Sequence, residues 1–148
     1  MFKTSKFLLC VFCIALSGCS FHKDSSYEPG QNEIANKLTD VEWVREYDVT
    51  SPDNGITRES WILNSDGSGT RTIETTYETG QLDSKTTYFM WLFTSPNYNV
   101  IYMNYPCYWL IKELTYDNLH IQQSSIDPDR LTSGDYRGDK KFVAVIPE

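Results

Sequence analysis

The chain has no apolar run of about 20 residues, the length a helix needs to cross a hydrocarbon core, so a permanent helical span is not expected. Positive charge is scarce. Lys and Arg number 13 against 20 Asp and Glu, a formal net charge of −7. A nucleic-acid binder needs a basic stripe to displace phosphate counterions, and none is present. Histidine is nearly missing, with two in 148 residues. His/Cys ligand spacing for zinc is absent, and no cofactor motif is found. What the chain does have is apolar and aromatic content. It is 40% hydrophobic and 14% aromatic, too rich for a disordered chain, and its length suits one domain.

The first residues read as a targeting segment. Lys3 and Lys6 form a positive start, and residues 7–16 follow without a charge. As a helix that stretch is about 15 Å long, half of a ~30 Å hydrocarbon core, as in a cleaved signal peptide. Then comes Leu16-Ser17-Gly18-Cys19, which resembles the lipobox of bacterial lipoproteins. In that family small side chains let the peptidase close on the backbone, and the cysteine thiol is acylated. The resemblance implies a signal peptide over 1–18, lipid attachment at Cys19 and anchoring through acyl chains. Ser20 stands where an Asp would resemble an inner-membrane retention signal, which favours the outer membrane of a Gram-negative bacterium. Cleavage removes Lys3 and Lys6, making the remaining chain two units more negative than −7.

The four cysteines are enough for two disulfides. On this reading Cys10 and Cys13 leave with the signal and Cys19 carries lipid. Cys107 alone remains, so no disulfide is expected. Residues 19–37 read as a flexible tether, rich in Ser, Asp, Glu, Pro and Gly at its start. A short helical turn over 32–38 places Ile34, Ala35 and Leu38 on one side.

From Trp43 the pattern turns to period two. Strands are expected over 43–49, 56–64, 70–79, 84–94, 98–105, 107–114, 119–124 and 140–146. Turn signals separate them: Pro52-Asp53-Asn54-Gly55, Ser65-Asp66-Gly67-Ser68-Gly69, Gly80-Gln81-Leu82-Asp83, Ser95-Pro96-Asn97 and Tyr116-Asp117-Asn118. A long polar loop covers 125–138. No crossover helix fits between the strands, so the topology is an antiparallel meander. Eight strands are enough to close into a barrel and remove exposed edges. Alternation assigns an inner face to Trp61 and Leu63, to Phe89, Trp91 and Phe93, to Trp109 and Ile111, to Leu119 and Ile121, and to Phe142 and Ala144.

The order of these segments carries a second resemblance. Trp43 opens the first strand, and Trp61-Ile62-Leu63-Asn64-Ser65-Asp66-Gly67-Ser68-Gly69 is an aromatic strand ending in an Asp-Gly turn. Trp109-Leu110-Ile111-Lys112-Glu113-Leu114-Thr115 leads to Leu119-His120-Ile121, and Phe142-Val143-Ala144-Val145 closes the chain. Together they resemble the lipocalin-like domain of small bacterial lipoproteins, over residues 38–146 of a domain placed at 38–148. The resemblance implies an eight-stranded up-and-down β-barrel with a cavity open at one end. It is incomplete: Val41-Glu42-Trp43 lacks the glycine of the Gly-x-Trp motif. Lys140 and Lys141 stand near the place of the arginine that crosses the tryptophan.

Catalytic signals are poor. His22 lies in the tether, and His120, between Leu119 and Ile121, points to the opposite face. Cys107 reads as a buried inert thiol. Residues 65–69 are a hairpin turn, too short for a phosphate loop. Asp127, Asp129, Asp135 and Asp139 share one loop. Four carboxylates can hold calcium, but the spacing matches no EF-hand, and solvated loop acids are the ordinary reading; no metal is expected.

One internal feature stands out. Arg45 shares a face with Trp43 and Tyr47, and Glu59 with Trp61 and Leu63. If both faces point inward, a charge pair sits among aromatics and forms a polar floor that orients a ligand. The ordinary reading is instead a barrel-end or solvent-facing pair. Tyr98, Tyr102, Tyr105 and Tyr108 offer stacking faces for a ligand or ordinary cross-strand filling. The expectation is a non-enzymatic binding module, without cofactor, for a small apolar or amphipathic ligand. Trp43, Arg45, Glu59, Trp61, Tyr77, Trp91, Tyr102 and Trp109 are its candidate lining. The alternative is an envelope protein-interaction or structural module with a filled barrel, contacting partners through 125–138 and exposed tyrosines.

Overall fold

The computed structural model describes residues 29–50, 53–105, 107–130 and 138–145. The expected signal peptide, the lipobox with Cys19 and the start of the tether lie outside the described residues. Helix α1 (Pro29–Leu38) is followed by eight strands: β1 (Glu42–Val49), β2 (Gly55–Leu63), β3 (Ser68–Tyr77), β4 (Leu82–Phe93), β5 (Val100–Met103), β6 (Cys107–Leu114), β7 (Asn118–Ser124) and β8 (Asp139–Val145). Each strand pairs antiparallel with the next, and β8 returns to β1, so the sheet is a closed up-and-down barrel. Closure runs through Glu42 opposite Val145, Trp43 opposite Ala144 and Val44 opposite Val143. Every strand therefore has two neighbours, although β4 meets β5 only over Trp91, Leu92 and Phe93.

The strands follow the period-two pattern with one shortening. Residues 98–105 were expected to form a strand, but β5 keeps only Val100–Met103. Ser95 Oγ accepts from the backbone N–H groups of Asn99 and Val100, and Tyr98 adopts a positive φ of 55°. The segment before Val100 is therefore committed to a turn. β6 carries a bulge between Ile111 and Glu113, opposite Ile121 and His120 of β7, which twists the sheet locally.

The helical turn expected over 32–38 is a longer helix that begins at Pro29. Proline suits the first helical turn, where its missing N–H costs nothing. Ala35 and Leu38 are buried against the barrel. Asp40 ends the helix in the left-handed region, φ 59°, which Asp tolerates better than most residues. Its N–H donates to the Leu63 carbonyl at 2.8 Å. The Trp43 indole N–H donates to the Leu38 carbonyl at 2.9 Å. Lys37 lies 5.6 Å above the Tyr116 ring in the β6–β7 turn. Helix α1 thus covers the barrel end that also carries the β2–β3, β4–β5 and β6–β7 turns. The opposite end, called the loop end below, carries the β1–β2, β3–β4, β5–β6 and β7–β8 connections.

The half of the interior next to α1 is packed with rings and aliphatic side chains. Trp43, Trp61, Leu63, Phe89, Trp91, Ile101, Met103, Trp109, Leu119, Ile121 and Phe142 are all buried in one cluster with Leu38. Trp61 and Trp109 meet edge to face at 4.7 Å, Trp61 and Phe89 at 5.4 Å, and Trp109 stacks on Phe142 at 5.7 Å. Burying one large apolar side chain stabilises by roughly 1.5–3 kcal/mol before entropy. Gly69 is part of this packing. A Cβ there would sit 2.5 Å from the Phe89 ring and 2.8 Å from the Ile62 carbonyl, so glycine lets Phe89 fold in beside β2.

Candidate functional site

The inner face changes character one layer toward the loop end. On β2 the inward series is Thr57, Glu59, Trp61 and Leu63, all buried, and Glu59 is the charged member. Register sets its neighbours. Arg45 is directly opposite Glu59 on β1. Arg71 of β3 is opposite Trp61, one inward step away. Lys140 of β8 follows the same parity as Phe142.

Glu59 is fully buried, its side chain 0% exposed, while Arg45, Arg71 and Lys140 are 24%, 16% and 16% exposed. Of the sequence's ordinary reading, a barrel-end or solvent-facing pair, the solvent-facing form is therefore overturned. Closing the barrel turns both faces inward, and the carboxylate sits beneath its partners. Each of its oxygens is used. Oε2 accepts from Arg45 Nε at 2.6 Å. Oε1 accepts from Arg71 Nε at 2.8 Å and from the Trp61 indole at 3.0 Å. Lys140 Nζ stands 3.8 Å from Oε1.

Aromatic faces hold the guanidinium groups in place. Arg45 lies 4.5 Å over Tyr47 and 5.7 Å over Phe142. Arg71 lies 5.0 Å over Trp61 and 5.5 Å over Tyr105, and its Nη1 donates to the Tyr105 hydroxyl at 2.9 Å. Planar guanidinium groups suit this combination of stacking and carboxylate pairing. Thr57 and Thr75 share a hydroxyl hydrogen bond of 2.9 Å on the loop-end side.

Electrostatics follow from burial and charge count. Burial alone would push the Glu59 carboxyl up, but the charges of Lys140, Arg71 and Arg45 outweigh it and hold the carboxyl below its usual range. Lys140 moves the other way. Burial lowers it, Glu59 partly restores it, and the two arginines lower it further. Cys107 is buried beside the cluster, and burial pushes its thiol up to about 11. That thiol stays protonated at neutral pH and is a poor nucleophile.

The other candidates divide. Trp43, Trp61 and Trp109 are fully buried and Trp91 nearly so. The indoles of Trp43 and Trp91 donate to backbone carbonyls, of Leu38 and of Asn64 and Ser68, and belong to the packed half. Tyr77 ends β3 at the rim of the loop end, beside an open depression of about 630 Å³ that includes Val49, Gly55, Ile56 and Thr76. Tyr102 is on the wrong side to line the interior. Ile101 and Met103 occupy the inner positions of β5, and Tyr102 stacks outside on Tyr108 at 5.0 Å. Arg71 and Lys140 were not among the candidates. Parity with Gly69 and with Phe142 would have placed both inside.

Outside the barrel, His120 and Asp139 stand 3.6 Å apart, so Asp139 faces the histidine rather than a cluster of acids. Among the described residues no group of three or more His, Cys, Asp or Glu side chains is placed to hold a metal. Asp135 lies outside the described residues.

Fold and interior define the class: a closed, all-antiparallel, eight-stranded up-and-down β-barrel with a charged inner layer over an aromatic floor. In comparisons with known proteins, no family model, curated protein or solved structure matches the chain.

Proposed function

We propose that the protein is a non-enzymatic binding module for a small amphipathic molecule, held to the outer membrane by lipid on Cys19. The observation that carries the binding reading is the division of the barrel interior. A packed aromatic floor gives a rigid base, and above it charged groups reach toward the loop end while remaining partly exposed. Ligand sites have this make-up: apolar walls with a few convergent polar groups. A buried, hydrogen-bonded carboxylate that orients two arginines is a costly arrangement for stability alone, since apolar replacements of buried ion pairs are often neutral or better.

The anchoring part rests on the N-terminal sequence. Lys3, Lys6, the apolar residues 7–16 and Leu16-Ser17-Gly18-Cys19 follow the lipoprotein pattern in order. Among the described residues no helix is long and apolar enough to cross a membrane, and lipid attachment requires none. Changing Cys19→Ala shifts the protein from the membrane to the soluble fraction; unchanged fractionation would contradict lipid anchoring.

A second reading has its own observation. Tyr88, Met90 and Leu92 on β4 are exposed at 79%, 53% and 54%, and Leu92 lies opposite Tyr102. This outer stripe suits a protein-interaction module of the envelope. Native mass spectrometry of the protein purified from its own host separates the two. A small-molecule adduct lost on denaturation supports the binding module. A bare mass, with one protein partner released by Tyr88→Ser/Leu92→Ser, supports the second reading.

A further inference from the structure

We propose that the charged layer is an oxyanion seat, so that the bound molecule carries a carboxylate or phosphate head received by Lys140, Arg45 and Arg71. This rests on the binding reading above and names the class of ligand. Three cations face one carboxylate, and the titratable groups acting on Lys140 are Glu59, Arg45, Arg71 and the protonated Cys107 thiol. Two positive charges are therefore unmatched among the described residues.

The arginines are committed differently from the lysine. Arg45 and Arg71 are oriented by their hydrogen bonds to Glu59 and by aromatic faces. Lys140 at 3.8 Å is beyond hydrogen-bond reach of the carboxylate, so its ammonium donors have no hydrogen-bond partner among the described residues. A second, independent observation lies on the adjoining wall. The fully buried Trp109 indole N–H has no nitrogen or oxygen partner; its neighbour is the Cys107 thiol, a weak acceptor. Buried polar atoms in native proteins are nearly always paired. The Lys140 ammonium and the Trp109 indole N–H are donors, and donors beside surplus positive charge call for an acceptor that carries negative charge.

Glu59 has a defined part in this account. It does not touch the ligand; its oxygens are filled by Arg45, Arg71 and Trp61. It positions the guanidinium groups and keeps the empty seat from carrying three bare cations. The packed floor places the rest of the ligand on the loop-end side, along Tyr105 and Tyr47.

Calorimetric titration of the full chain with octanoate, octyl phosphate, 1-octanol and inorganic phosphate tests the seat. The anionic amphiphiles bind at least about tenfold more tightly than 1-octanol, as charge-assisted hydrogen bonds require. Lys140→Met removes that preference and Lys140→Arg keeps it. Glu59→Gln tightens anion binding, and phosphate restores part of that variant's stability, a readout that survives if Lys140→Met folds poorly. Preference for one anion over the other supports the seat and tells carboxylate from phosphate. If 1-octanol binds as tightly as both anions, the seat is overturned and the binding reading stands. If none of the four binds and phosphate leaves the melting of Glu59→Gln unchanged, both are overturned.

Discussion

The two halves of the barrel interior are made from the same strands and obey different physics. Near α1, Trp43, Trp61, Phe89, Trp109 and Phe142 fill space with each other. Near the loop end, Arg45, Arg71 and Lys140 converge on the buried Glu59 carboxylate and stay partly exposed themselves. The strand that crosses both, β2, changes from Leu63 and Trp61 to Glu59 within three inward positions. The difference teaches where stability and recognition are separated. The aromatic half carries the fold, and on the proposed function the charged half is where a bound molecule gains interactions unavailable in water.

Substitutions sharpen this contrast. The largest loss is expected in the aromatic half. Trp61→Ala removes a fully buried ring that meets three others and should cost roughly 3–5 kcal/mol in denaturant unfolding. A loss below about 1 kcal/mol would show that the packing is loose there. In the charged half, Glu59→Gln strips the carboxylate from two guanidinium groups and should cost about 3 kcal/mol. A neutral result would mean that solvent already screens the cluster. Gly69→Ala drives a methyl toward the Phe89 ring and should cost about 1–3 kcal/mol. Phe89→Leu in the same chain should recover part of it, because the clash is with that ring.

Acid provides a smaller and graded test. The folded-state carboxyl of Glu59 is lowered. Its contribution is complete above the ordinary glutamate pKa of about 4.3 and is lost as pH falls through the lower folded value. Stability should therefore drop on acidification from about pH 4.3 downward, and Glu59→Gln should flatten that part of the profile. Lys140 is lowered by burial, which makes its charged form unfavourable in the fold. Its share of stability rises as pH climbs through the folded value toward about 10.4, and Lys140→Met should remove that rise. Equal slopes in wild type and variants would detach these groups from the pH response.

Much of the fold was legible because strand signals and turn signals agreed. Asn64-Ser65-Asp66-Gly67 folds back with Gly67 at φ 87° and Asp66 accepting from the Ser68 N–H and hydroxyl. The inward sets on β2, β4, β6, β7 and β8 follow from alternation, as their burial shows. The boundary of β5 was not legible, since the Ser95 turn competes with a strand through hydrogen bonds that composition does not reveal. The same shortening hides the facing of Tyr102, because a one-residue change in register reverses every side chain. The site was half legible. Parity raised the pairing of Arg45 with Glu59. Arg71 joins it across the β2–β3 hairpin, but that Lys140 joins it depends on β8 meeting β1 on closure, a property of the barrel rather than of any local segment.

The four tryptophan indoles report on both halves at once. Trp61 donates to Glu59 and Trp109, beside the Cys107 thiol, has no nitrogen or oxygen partner, whereas Trp43 and Trp91 donate to backbone carbonyls near α1. Titration with octanoate, followed through the four indole N–H resonances, should move Trp61 and Trp109 and leave Trp43 and Trp91 in place. Movement of Trp43 and Trp91 alone would put the ligand at the helix end and contradict the account.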